Sequence, residues 1–119
     1  MEKLEKFAAM GLSENILKAL EAKGFEEPSQ IQEQTIPLLL NAETDLVGQA
    51  QTGTGKTAAF GIPIIERLDE KSKQIGALIL TPTRELALQV ADEINSLKGE
   101  KDKWYSAVQP FFLRFFRLL

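Results

Sequence analysis

The 119-residue chain contains no cysteine and no histidine, and only one tryptophan and one tyrosine. Without cysteine there are no disulfides, no thiolate nucleophile and no iron–sulfur or thiolate zinc site. Without histidine, imidazole acid–base catalysis and the usual mixed zinc sites are excluded as well. Long apolar runs are also missing: no stretch approaches the roughly 18 apolar residues of a membrane-spanning helix. The opening MEKLEKFAAMGL lacks the continuous apolar core of a secretory signal. A soluble, cytoplasmic protein is the expectation. Charge of one sign is scarce too, since a net charge of −3 with both signs interspersed does not mark a dedicated polyanion binder. The charge is unevenly placed: residues 1–97 carry nine basic and fifteen acidic side chains, whereas residues 98–119 carry five and two.

What is present suffices for one domain, with 44% apolar residues available for a core. Residues 12–23 place Leu12, Ile16, Leu17 and Leu20 on one helical face, with Ser13 as N-cap and Gly24 just past the end. A second helix runs from Ser29 to about Leu40, with Pro37 expected to kink or loosen it. Residues 45–50 read as a strand ending in a glycine-rich turn, followed by a helix from about Lys56 to Glu70. Residues 74–82 carry Ile75, Ala77, Leu78, Ile79 and Leu80 in a nearly unbroken apolar run, the pattern of a strand covered on both faces. The last helix starts near Arg84 and keeps Leu86, Val90, Ile94 and Leu97 in a stripe until Lys98 and Gly99. Alternating strands and helices predict an α/β fold with a parallel sheet flanked by helices.

The segment Ala50 to Thr57, AQTGTGKT, carries the chemistry. It matches the phosphate-loop pattern G-x-x-x-x-G-K-[ST] at Gly55, Lys56 and Thr57, with Ala50 in place of the first glycine. Gly53 and Gly55 let successive backbone N–H groups turn toward an anion at the start of the following helix. Lys56 suits the β and γ phosphates of a nucleotide, and Thr57 offers an oxygen to Mg²⁺. The bland alternative is a flexible turn with an incidental lysine. Gln32 has two readings from the residues alone: with Ser29 it forms the S-x-x-Q of a capping box, and its primary amide also complements the N6 and N7 edge of adenine. Pro82, Thr83 and Arg84 stand where a strand meets a helix N-terminus, a place suited to a phosphate backbone; Thr83 also reads as an N-cap and Glu85 as an ordinary first-turn acid.

Three segments in order resemble the DEAD-box family of ATP-dependent RNA helicases: GFEEPSQIQ at residues 24–32, AQTGTGKT at 50–57 and PTRELA at 82–87. The resemblance covers roughly residues 5–100. It implies a partial RecA-like P-loop fold, with residues 1–40 as the Q-motif region and 41–103 as the beginning of the ATP-binding domain. It also implies ATP or ADP and Mg²⁺ as ligands, together with an RNA backbone contacted without sequence readout. By the same resemblance, Phe7 would stack on the adenine and Gln32 would bond its edge, with Phe25, Pro28 and Ser29 holding the turn. The phosphates would lie on Ala50, Gln51, Thr52, Gly53, Thr54, Gly55, Lys56 and Thr57, with Mg²⁺ on Thr57. RNA would meet Pro82, Thr83 and Arg84.

After Glu100 the sequence departs from the family pattern, and no Asp-Glu-Ala-Asp segment occurs in the 119 residues. Hydrolysis and unwinding are therefore expected to be weak or absent in this chain, which leaves a non-enzymatic nucleotide- or RNA-binding module as the alternative. The ending WYSAVQPFFLRFFRLL, residues 104–119, admits three readings: a shifted frame or truncation, a native tail supplying a third strand, or a basic amphipathic membrane or partner segment. Self-association through an exposed sheet edge and this tail is a further expectation.

Overall fold

The computed structural model describes residues 4–41, 45–51, 53, 55–68 and 76–98. Five helices form in them: α1 (Glu5–Ala8), α2 (Glu14–Ala22), α3 (Gln30–Asn41), α4 (Lys56–Arg67) and α5 (Arg84–Leu97). The helix α1 is a single turn that no periodic pattern announced. The other four agree closely with the expected spans because their punctuation is local. Gly24, at φ +81°, takes the left-handed position that ends α2. Around it, Gly24 N–H donates to Glu21 O and Phe25 N–H to Leu20 O, the paired bonds of a Schellman closure. At the start of α5, Thr83 Oγ1 accepts the Leu86 N–H at 3.1 Å. Both Pro37 and Pro63 lie inside helices that continue past them.

Helix α4 is central, packing against α3 on one side and α5 on another, while α2 also meets α5. Its small residues make this possible. Ala58, Ala59 and Gly61 are buried together with Ile62, Pro63 and Ile65. A Cβ added at Gly61 would touch Ile94 Cγ1 at 3.4 Å, so that glycine sets how closely α5 approaches. Phe7, Ile16, Leu20, Ile36, Ile62, Ile65 and Leu97 have no more than a trace of exposed surface and share one core. Each such side chain contributes on the order of 1.5–3 kcal/mol by leaving water. Of the expected α5 stripe, Val90, Ile94 and Leu97 face this core. Leu86 does not, being 39% exposed.

Two polar links tie α2 to its neighbours. At its N-terminus Ser13 offers no side-chain cap to its own helix. Its N–H and its hydroxyl both donate to Glu66 Oε1 on α4, at 3.1 and 2.7 Å. At the other end Lys23 Nζ meets Glu93 Oε2 at 3.0 Å and Ser96 Oγ at 2.6 Å on α5.

The parallel sheet expected from the sequence is not formed among the described residues. Residues 45–51 and 76–81 carry no strand pairing. Val47 is 96% and Leu80 83% exposed. A strand requires a neighbour's backbone on its edges, and no described residue supplies one here, although Ile79 packs against the helical core. No helix among the described residues is long and apolar enough to cross a membrane. The tail at 104–119 lies outside the described residues, as do Gln74 and Ile75 of the second expected strand.

Candidate functional site

The phosphate-loop segment leads directly into α4. Gly53 and Gly55 both hold φ +80°, a conformation disfavoured for every residue with a Cβ. Gly55 is the N-cap of α4, and being glycine it has no side chain with which to cap the helix. Among the described residues no side chain takes up the leading N–H groups of α4, which suits them to an incoming anion, and no acidic residue occupies the first turn to oppose one. Lys56 is exposed at that end and Thr57 is half-buried one residue on. Thr52 and Thr54 lie outside the described residues.

Gln32 joins this loop to the start of α3. Its Oε1 accepts the Ser29 N–H at 2.9 Å, and its own N–H reaches Ser29 Oγ at 3.4 Å, so the capping box forms. The same side chain then extends to the phosphate loop, where Nε2 donates to Gly55 O at 3.2 Å. That carbonyl also accepts the Ala59 N–H, the first bond of α4. Gln32 is only 3% exposed, and a Cβ on Gly55 would collide with its Nε2. The absence of a side chain at 55 thus has a positional cause in addition to its φ angle.

Phe25 and Pro28 are half-buried in the turn between α2 and α3. Phe7 sits behind them, with no exposed surface, its ring centroid 6.1 Å from that of Phe25 at a tilt of 59°. The face expected to stack on a base is occupied by core packing, and Phe25 is the aromatic nearer to solvent. A cleft of about 440 Å³ opens beside the site, lined by Ser29, Gln30, Ile31, Gln34, Gln49, Ala50 and Gln51. Gln30, Gln34 and Gln49 were not singled out from the sequence; the i, i+4 spacing of the first two is the signal that places them on one face of α3.

At the third segment Pro82, Thr83 and Arg84 are all exposed. Thr83 is engaged as N-cap, and its carbonyl accepts the Thr81 hydroxyl at 2.9 Å. Arg84 stands at the first position of α5, beside the N–H groups of a helix start whose Leu86 N–H is taken by Thr83.

The family model of the DEAD/DEAH box helicases matches residues 29–109. A probable ATP-dependent RNA helicase of Methanocaldococcus jannaschii is 59% identical over 96 residues, which are 81% of this chain and 26% of that protein. The ATP-dependent RNA helicase CshA of Listeria monocytogenes is 55% identical over 98 residues, 82% of this chain and 19% of the relative. The chain therefore spans about a quarter or less of the length of these curated relatives. Among solved structures, a DEAD box protein from Methanococcus jannaschii superposes with a TM-score of 0.73 at 62% identity, covering 76% of this chain and 25% of that one. The S. cerevisiae protein Dbp5, solved bound to RNA and ADP BeF3, superposes with a TM-score of 0.76 at 35% identity, over 87% of this chain and 26% of its own. By the extent of the family match and the ordered segments it contains, the chain belongs to the DEAD/DEAH box helicase family.

Proposed function

We propose that the chain is the nucleotide-binding and RNA-contacting N-terminal portion of an ATP-dependent RNA helicase with a RecA-like fold. The observation that carries this reading is the union of an uncapped helix N-terminus at Gly55–Lys56 with a buried amide, Gln32, bonded to the same loop. The residues fit the ligands. Left-handed glycines, free N–H groups and Lys56 suit the phosphates, and the Thr57 hydroxyl suits Mg²⁺. Ala50 and Gln51 begin the loop, and Thr52 and Thr54 complete it. Bound Mg²⁺ would neutralise phosphate charge; the chain's own part is to hold and orient the nucleotide.

Gln32 supports adenine as the base. Oε1 has a second lone pair beyond the bond from Ser29, and Nε2 a second hydrogen beyond the bond to Gly55, the two complements that the N6–N7 edge requires. Phe25 and Pro28, half-buried in the turn that leads to Ser29, would flank the base. Pro82, Thr83 and Arg84 supply an RNA-backbone contact by charge and helix N-terminus, without base readout. The part that these 119 residues play in the proposed function is nucleotide binding through Lys56 and Thr57.

Titration of a fluorescent ADP with Mg²⁺ against the wild-type chain and Lys56→Ala tests the proposal. Binding that the substitution removes supports it; equal, negligible signal from both proteins would refute it.

A further inference from the structure

The double hydrogen bond from Ser13 to Glu66 joins the N-terminus of one helix to the last turn of another 53 residues away. An acid at the C-terminal end of α4 is unfavourable toward the dipole of its own helix, and the contact turns it to the positive end of α2. The neighbouring side chain makes the opposite choice. Arg67 Nη1 donates to Leu39 O in the last turn of α3, where carbonyls are in excess. The end of α4 thus holds two other helices, each by the charge that its terminus attracts.

Glu66 cannot touch a triphosphate on Lys56, since the two lie at opposite ends of α4, about 15 Å apart along its axis. What it fixes is α2. That helix is rigidly closed at its far end, where Gly24 and Phe25 bond back to Glu21 and Leu20, and Phe25 follows wherever α2 goes. Phe25 leads through Pro28 to Ser29 and Gln32, the side proposed above to face the base. Lys23 bonds Glu93 and Ser96 from that end, so α2 carries one polar link at each terminus and loss of the Glu66 contact leaves a single link to set its position.

We infer that Glu66 is a positioning residue for the base of a bound nucleotide, acting through Ser13 and α2 on Phe25 and Gln32 rather than on the phosphates. The inference rests on the nucleotide-binding reading above. It separates two halves of the ligand by degree: loosening the Ser13–Glu66 contact changes the grip on the base more than the grip on the phosphate chain, which the start of α4 and Lys56 supply directly.

The experiment measures ADP, GDP and inorganic tripolyphosphate binding to the wild-type chain, Glu66→Ala, Glu66→Gln, Ser13→Ala and Lys56→Ala, with circular dichroism establishing the folded fraction of each. Glu66→Ala is expected to weaken ADP about five- to tenfold, less than the full loss of a hydrogen bond to a charged group because it acts on the base indirectly, while tripolyphosphate changes by less than about twofold and the preference for ADP over GDP shrinks. Glu66→Gln keeps an acceptor oxygen and recovers most of the loss, and Ser13→Ala, which retains the N–H bond, falls between. ADP and tripolyphosphate weakening in parallel would overturn the inference, because a purely structural role lowers both together. Binding that Lys56→Ala removes but neither Glu66 variant alters overturns this inference alone. Wild-type binding no stronger than that of Lys56→Ala overturns the nucleotide reading itself.

Discussion

Gln32 Nε2 donates to the carbonyl oxygen of Gly55 at 3.2 Å, closing the start of α3 onto the phosphate loop. The bond makes the two glycines of the loop unequal. Both hold φ +80°, but a Cβ at Gly53 meets nothing within 4 Å, whereas one at Gly55 collides with Gln32 Nε2 and lies 3.5 Å from Ser29 Oγ. Gly53→Ala should therefore cost only backbone strain, on the order of 1–2 kcal/mol. Gly55→Ala adds displacement of a buried amide, and the larger fall in melting temperature and in ADP affinity should be its own. Thermal melts and nucleotide titration of both variants decide the order; equal losses would show that the bond to Gln32 does not constrain the loop.

Phe7 separates packing from base contact. With no exposed surface and its ring against Phe25, it acts in the core. Phe7→Ala should destabilise the fold by about 3–5 kcal/mol through the cavity it leaves. Phe7→Leu refills most of that volume, and the folded protein should then bind ADP as the wild type does. Phe25→Leu, at the half-buried ring, should weaken ADP while changing stability less than Phe7→Ala. Loss of ADP affinity in well-folded Phe7→Leu would return the stacking role to Phe7.

These two residues show where the sequence was legible. The S-x-x-Q spacing of Ser29 and Gln32 announced a capping box, and both of its bonds are present. Helix ends at Gly24 and Thr83 were equally readable, since caps depend on neighbours a few positions away. The reach of Gln32 to Gly55 and of Glu66 to Ser13 was not, because each joins residues that only packing brings together. The apolar runs at 45–50 and 74–82 carry strand composition, yet a strand is completed by its partners, and none of the described residues pairs with them. The one-turn α1 was missed for a different reason: four residues are too few to display a period.

The exposed apolar edges have a consequence for behaviour in solution. Val47, Leu78 and Leu80 are large, exposed and lie in segments that form no strand pairing with the described residues, the arrangement that favours edge-to-edge association. The chain is expected to self-associate at micromolar concentration, and Val47→Lys with Leu80→Lys should shift it toward monomer. Sedimentation velocity over a concentration series measures this, and an unchanged distribution would remove the edges as the cause.

Gly61 tests the packing that places α5 beside the loop helix. Its missing side chain leaves Ile94 Cγ1 and Leu97 Cδ1 at 3.4 and 3.7 Å from where a Cβ would stand. Alanine there gains helix propensity and meets its neighbours at the edge of ordinary contact, so the net change should be within about 1 kcal/mol. Leucine has no space and should cost about 1–3 kcal/mol by forcing α5 outward. A melt showing Gly61→Leu as stable as wild type would mean that α5 does not lie as closely on α4 as these distances require.

Arg84 distinguishes an electrostatic contact from base readout. It is exposed at the first position of α5, and its neighbour Thr83 is already engaged as the cap. A guanidinium that meets only phosphate neutralises about one charge, so on single-stranded RNA the slope of log affinity against log salt should fall by about 0.7 in Arg84→Ala. The loss should be the same for oligonucleotides of unrelated sequence, because no base edge is read. Lys is a partial replacement that keeps the charge and loses the bidentate fork, and Arg84→Lys should recover most of the salt slope but less of the affinity. Fluorescence anisotropy at several salt concentrations, on two unrelated homopolymers, gives both quantities. A loss confined to one sequence would make Arg84 a reader of bases, and no loss on either would remove the start of α5 from the RNA-contacting surface.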